Sequence, residues 1–164
     1  MRDFVRERGY LTLGSRLKRL GERFQAEVQE LARAEGIDLP AGLFPTVGVL
    51  AEAGTLAIGE LAQALGISQP GATRNVDRLV GLGLVEAVTD RADRRVRAVT
   101  LSDRGRRLVQ ATEHDLWPRV ERGVAEICGG RDGPLLDILT AIERALDQRP
   151  LHVRAARRRS DADG

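Results

Sequence analysis

Apolar residues recur at Leu13, Leu17, Leu20, Phe24, Val28 and Leu31, three or four positions apart, with Arg16, Lys18, Arg19, Glu22 and Glu27 between them. That spacing lays one apolar stripe along a helix. Phe4 and Val5 allow an earlier start, which Gly9 and Gly14 weaken, and Gly36 and Pro40 close the segment. From Leu43 to Ala53 a second apolar stretch carries Pro45 near its start, where a helix tolerates proline because that N–H would lack a partner anyway. Gly54 ends it, and Leu56 to Ile58 read as a brief strand.

The next block has the spacing of two short helices around a glycine turn. Leu61, Ala62 and Leu65 share a face, Gly66 and Ile67 make the turn, and Ser68 is placed to cap a helix over Gln69 to Leu82 with Pro70 in its first turn. Ala72, Val76, Leu79 and Val80 are expected on the buried side of that second helix. Two helices so joined make a helix-turn-helix.

After Gly81 and Gly83 the period changes to that of strands. Leu84, Val85 and Val88, then Val96, Ala98, Val99 and Leu101, flank the polar stretch Thr89 to Arg95, which predicts a β-hairpin with a charged loop, a wing. Ser102 or Asp103 then caps a long helix carrying Leu108, Thr112, Leu116, Val120, Val124 and Ile127, kinked by Pro118. A glycine loop at Gly129, Gly130 and Gly133 leads to a last helix with Leu135, Ile138, Leu139, Ile142 and Leu146, which Pro150 stops. The fold class is therefore mainly α with a small β-hairpin wing, a winged helix-turn-helix with helices before and after it. One domain is expected over residues 1–150, and residues 151–164 are expected to form a flexible basic tail.

Charge sharpens this picture. The 164 residues carry a net charge of only +2, yet lysine occurs once, at Lys18, and arginine is clustered. Seven arginines stand against two aspartates between Arg91 and Arg107, and five arginines and no acid lie between Arg149 and Arg159. The planar guanidinium grips phosphate with paired hydrogen bonds and enters narrow minor grooves, so the clusters fit either contact with double-stranded DNA or a solvated face and a disordered tail. Cys128 is the only cysteine, which excludes an internal disulfide or a cysteine zinc cluster. His114 and His152 are the only histidines, and no nucleophile–base pair or metal-ligand spacing accompanies them. The reading is of a protein that is not an enzyme, with no cofactor or metal. The lack of a long apolar run or an export signal makes the cytoplasm the default location and excludes a membrane partner.

The run GELAQALGISQPGATRNVDRLVGLGLVEAVTDRADRRVRAVTLSDRG, Gly59 to Gly105, resembles the winged helix-turn-helix of the MarR family of transcriptional regulators. Its parts keep the family's order: E-L-A-x-x-L-G-I-S, T-R-x-V-D-R-L, G-L-V, D-R-R and V-T-L-S-x-x-G. The resemblance implies a ligand-responsive repressor, a homodimer built from terminal helices at about 3–36 and 103–148, with the winged helix-turn-helix at about 53–105. It also implies a roughly palindromic operator and a small-molecule effector bound near residues 13–24, 44–50 and 108–116. A winged-helix module for protein assembly or nonspecific nucleoid binding is the alternative.

Recognition helices enter the major groove by their N-terminal part, which points to Ser68, Gln69, Gly71 and Thr73, with Arg74 on phosphate. Gly71 fits either close approach to DNA or ordinary helix-start chemistry. In the wing the resemblance implies that Arg94 or Arg95 reaches the minor groove, with Arg97 beside them. Asp77, Asp90 and Asp93 give Arg78 and Arg91 the choice of an ion pair or a DNA contact. Asn75 stands where the family usually has an apolar residue and fits either a contact or a satisfied polar core group. Ala87 replaces a basic residue common after the first wing strand.

Overall fold

The structure, a computed structural model, describes residues 2–89, 97–129 and 132–156. Its elements run α1 (Phe4–Glu7), α2 (Leu13–Ala34), α3 (Phe44–Ala53), β1 (Leu56–Ala57), α4 (Ile58–Leu65), α5 (Gln69–Gly81), β2 (Val85–Thr89), β3 (Arg97–Leu101), α6 (Asp103–Ala111), α7 (Trp117–Cys128), α8 (Asp132–Gln148) and α9 (Leu151–Arg154). The three strands form an antiparallel sheet in the order β1-β3-β2, with Leu56 opposite Val99 and Val85 opposite Leu101. The mainly helical fold with a β-hairpin is thus as the hydrophobic pattern anticipates. Contacts divide the chain into two compact units, Met1–Pro118 and Arg119–Gly164.

The first unit holds the core. Leu39, Leu43, Val47 and Leu50 from α3 and the segment before it are buried, as are Leu61 on α4, Ala72, Val76 and Leu79 on α5, and Val99 and Leu101 on β3. Each set follows the period of its element, 3.6 residues in the helices and two in the strand. Val80 departs from expectation: it is 41% exposed, because three small or medium apolar residues already fill the face that α5 turns to the core. Along α2, by contrast, Ala32 is the only buried residue, and Leu17 and Leu20 remain exposed.

Pro118 disturbs its helix upstream. Residues Thr112–Leu116 are a π-helical turn in which the Trp117 N–H donates to the Thr112 carbonyl, five residues back. The proline ring has no N–H and crowds the carbonyl four residues before it, and one widened turn relieves that conflict without breaking the helix.

The second unit has no described residue that is fully buried, and Leu136 and Ile138 on α8 are 62% and 56% exposed. After Pro150 the chain forms the turn α9. Arg154 holds it by donating to the Ala145 carbonyl at 2.6 Å and the Arg149 carbonyl at 2.7 Å. The Ala145 carbonyl accepts its bond beside the Arg149 N–H, which closes the last turn of α8.

One contact admits no side chain. A Cβ on Gly105 would overlap the Leu84 carbonyl oxygen and sit 3.2 Å from Leu101 Cδ2. Gly105→Ala is therefore expected to destabilise the first unit by about 2–3 kcal/mol or more through overpacking against backbone that cannot rotate away. A lower urea midpoint at fixed protein concentration would show this, and an unchanged midpoint would mean that the two segments separate at little cost.

Candidate nucleic-acid interface

The geometry of the helix-turn-helix is set by its ends. Glu60 accepts the Ala57 N–H at 2.8 Å and so ties the start of α4 to β1. At its other end Gly66 has φ +63°, and the Gly66 and Ile67 N–H groups donate to the Gln63 and Ala62 carbonyls. This left-handed glycine closes α4 and turns the chain directly into α5. Ser68 caps α5, its hydroxyl accepting the Gly71 N–H at 3.3 Å. The tight turn packs α4 against α5, and α3 packs against both.

Turning about 100° per residue, α5 presents three sides besides its buried one. Gln69 and Thr73 lie on one flank, Arg74 and Asp77 lie outermost, and Gly71, Asn75 and Arg78 lie on the other flank. Ser68, Gln69, Arg74 and Arg78 are exposed, while Gly71 and Thr73 are half-buried. The Thr73 hydroxyl donates to the Gln69 carbonyl at 3.0 Å, leaving its lone pairs to accept from an incoming donor. Arg74 Nη2 lies 3.9 Å from the place a Gly71 Cβ would occupy, so the guanidinium lies next to the glycine.

Arg78 is set apart from the other candidates on α5. It lines a groove of about 420 Å³ with Gln25 and Gln29 of α2, Pro40 and Asn75. This is not the lining expected for an effector, although a second groove of about 270 Å³, between α3, β3 and α6, includes Leu50 and Val109 from it.

Asn75 resolves as a satisfied polar group. Its Nδ2 donates to Oγ1 of Thr46 at 3.1 Å, and Thr46 is completely buried on α3. The pattern could not distinguish this from a surface contact because the partner lies 29 residues away. Arg91, Arg94, Arg95, Asp90 and Asp93 lie outside the described residues. Arg97 opens β3 opposite Thr89, with its side chain outside the described set, and Ala87, itself exposed, pairs with the buried Val99.

Sequence reasoning missed the residues that join the wing to α5. Ser102 donates from Oγ to the Gly83 carbonyl at 2.7 Å, and its N–H donates to Leu84 O at 3.0 Å. Arg104 Nη1 donates to Leu82 O at 3.0 Å. Arg106 Nη1 donates to Leu101 O while its Nη2 holds Asp103 at 2.6 Å. That hydrogen bond, and then the charges of Arg106 and Arg107, hold the Asp103 carboxyl below its ordinary value. The pair therefore persists above the usual carboxylate range and is lost only as pH falls through the lowered value.

A capped two-helix turn followed by a three-stranded sheet with a β2–β3 hairpin defines a winged helix-turn-helix protein. Residues 36–96 match the model of the MarR family. A cysteine-to-serine mutant of MarR from E. coli, complexed with operator DNA, has the same fold at TM-score 0.72 and 20% identity, covering 86% of this chain and 99% of that one. The transcriptional repressor CouR, bound to a 23-mer DNA duplex, aligns at TM-score 0.69 and 27% identity over 82% of this chain and 96% of that one. A MarR family transcriptional regulator from Silicibacter pomeroyi DSS aligns at 0.58 and 25%, over 84% and 89%. No curated protein sequence matches the chain.

Asn75→Ala would strand the buried Thr46 hydroxyl and is expected to lower stability by about 1 kcal/mol. Urea denaturation checks it; a variant as stable as the parent would show that the Thr46 hydroxyl finds another acceptor or donor.

Proposed function

We propose that the chain is a transcriptional regulator that binds double-stranded DNA as a homodimer and represses from a palindromic operator. The observation that carries this reading is the pairing of a serine-capped recognition helix with an adjoining hairpin whose sequence is rich in arginine, within residues matched by the MarR family model. In this reading Ser68, Gln69, Gly71 and Thr73 approach base edges and Arg74 grips phosphate. From the wing, Arg94 or Arg95 enters the minor groove, with Arg91 and Arg97 on the backbone. Arg78, on the groove flank of α5, contributes charge beside the interface rather than base readout. CouR and the E. coli MarR mutant, both in complexes with DNA, support the assignment by likeness of fold.

Dimerisation rests on unpartnered apolar surface at both ends of the chain. Tyr10 and Leu11 are 94% and 78% exposed, Leu17 and Leu20 remain open on α2, and α8 presents Leu135, Leu136, Ile138 and Leu146. A monomer in water rarely leaves so much apolar area uncovered. The single domain over residues 1–150, with terminal helices given to the partner, belongs to this proposal. Two-fold symmetry then sets the recognition helices about one DNA turn, ~34 Å, apart. Among the described residues no helix is long and apolar enough to cross a membrane. The 270 Å³ groove is lined by Leu50, Val109, Gln110 and Glu113 from the segments expected to hold an effector, which fits repression relieved by a small molecule.

The test is binding to the DNA upstream of its own coding region against scrambled DNA of the same length, over a range of salt. Preference for the upstream DNA is expected, and equal affinity for both would leave only the nonspecific nucleoid or assembly reading. Replacing Arg94 and Arg95 together by alanine is expected to weaken binding about tenfold or more without lowering the melting temperature. Unchanged affinity would remove the wing from the interface. Light scattering at micromolar concentration should return the mass of a dimer; a monomer would contradict the two-fold model.

A further inference from the structure

The last turn of a helix leaves carbonyls without intrahelical donors, and each needs another partner. At the end of α5 the Gly83 and Leu84 N–H groups donate back to the Val80 and Leu79 carbonyls. Beyond Gly81, the carbonyls of Leu82, Gly83 and Leu84 are all taken by residues at the start of α6. Arg104 Nη1 reaches Leu82 O at 3.0 Å, Ser102 Oγ reaches Gly83 O at 2.7 Å, and the Ser102 N–H reaches Leu84 O at 3.0 Å. These donors lie 18 to 22 residues further along the chain, on the far side of the hairpin.

The three bonds differ in what they do. Those from Ser102 belong to a junction where Ser102 also accepts the Gly105 N–H at 3.1 Å, so they fix how α6 begins. Arg104 is different because it is exposed and, among the described residues, its guanidinium donates to the carbonyl of Leu82 at the end of α5. It supplies a positive charge where the helix dipole and unpaired carbonyls concentrate negative charge. A cation holding the C-terminal carbonyl of α5 restrains the tilt of that helix at the end opposite its base-reading residues.

We propose that Arg104 is a positioning residue for DNA recognition: by clamping the Leu82 carbonyl from α6, it fixes the angle at which α5 is offered to the major groove. This rests on the DNA-binding reading above. The clamp carries position from α6 into the recognition helix, so a shift of α6 alters the fit of Gln69 and Thr73 to base edges while leaving the phosphate contacts intact.

The test compares the full-length protein with Arg104→Met, which keeps much of the apolar stem and loses every donor, and with Arg104→Lys, which keeps the charge and an ammonium donor. Affinity for the upstream DNA and for scrambled DNA is measured across a salt series, with thermal melts on the same samples. The Met variant is expected to lose about tenfold in affinity for the upstream DNA, a difference of about 1.4 kcal/mol, with scrambled-DNA affinity and the salt slope unchanged. The Lys variant should recover most of the loss. If the salt slope falls by about 0.9, Arg104 neutralises a phosphate and the positioning role is overturned. Equal affinity of parent and Met variant for the upstream DNA also overturns it while leaving the DNA-binding reading intact, whereas a parent that shows no preference for upstream DNA fails the DNA-binding reading itself. Should the Met variant not fold, Arg104→Gln, polar but too short to span to Leu82, is read by the same criteria.

Discussion

The winged unit depends on the close approach of two chain segments, the exit from α5 and the entry to α6. Gly105 sits against the Leu84 carbonyl so closely that no side chain fits, and Ser102 bonds the same stretch of backbone through both its hydroxyl and its N–H. Because β2 and β3 lie between these segments in sequence, closing the junction also closes the base of the hairpin. Arg106 adds the last carbonyl of β3 to the same knot. Recognition helix, wing and following helix therefore share one anchoring point, and the position of any one of them constrains the other two.

The distribution of burial explains why this anchoring is needed. α5 offers the core only Ala72, Val76 and Leu79, a narrow apolar stripe on a helix whose remaining faces are polar or exposed. Hydrophobic contact alone holds such a helix in place but resists its rolling or tilting weakly, since dispersion has little directional preference. Directional hydrogen bonds at its ends supply what the core cannot: Ser68 at the N-terminus, the carbonyl partners from α6 at the C-terminus, and Asn75 to Thr46 between them. Outside the winged unit the balance is reversed, with large apolar side chains exposed and no described buried residue in the C-terminal unit, the condition of helices built to be covered by a partner.

Much of the architecture was legible because it rests on local signals. Ser68 before Gln69-Pro70 marks a helix start, Gly66 a left-handed stop, and the change of period after Gly83 a hairpin, and each is decided within a few residues. What was not legible depends on distant pairing. Nothing near Arg104 in the sequence says that its charge is used on Leu82 rather than on DNA, and nothing near Asn75 identifies Thr46 as its partner. Val80 was misplaced for a related reason: a helix with 3.6 residues per turn puts it at the edge of the apolar stripe, where only the neighbouring elements decide whether it is covered. The π turn at Thr112–Leu116 was likewise hidden, since Pro118 foretells a disturbance but not that it is absorbed upstream as one wide turn.

The separation of Arg78 from Gln69 and Thr73 bears on how an arginine-rich helix reads DNA at all. Arginines placed on every side of α5 would bind phosphate in several registers and blur the base contacts, because charge attracts backbone without regard to sequence. Here the flank with Gln69 and Thr73 carries neutral hydrogen-bonding groups, Arg74 stands at the outer edge beside Gly71, and Arg78 is turned toward the Gln25 and Gln29 side chains of α2. In the proposed interface, sorting charge away from the flank with Gln69 and Thr73 would let phosphate contacts fix the register while base edges meet groups whose hydrogen bonds depend on the base they face.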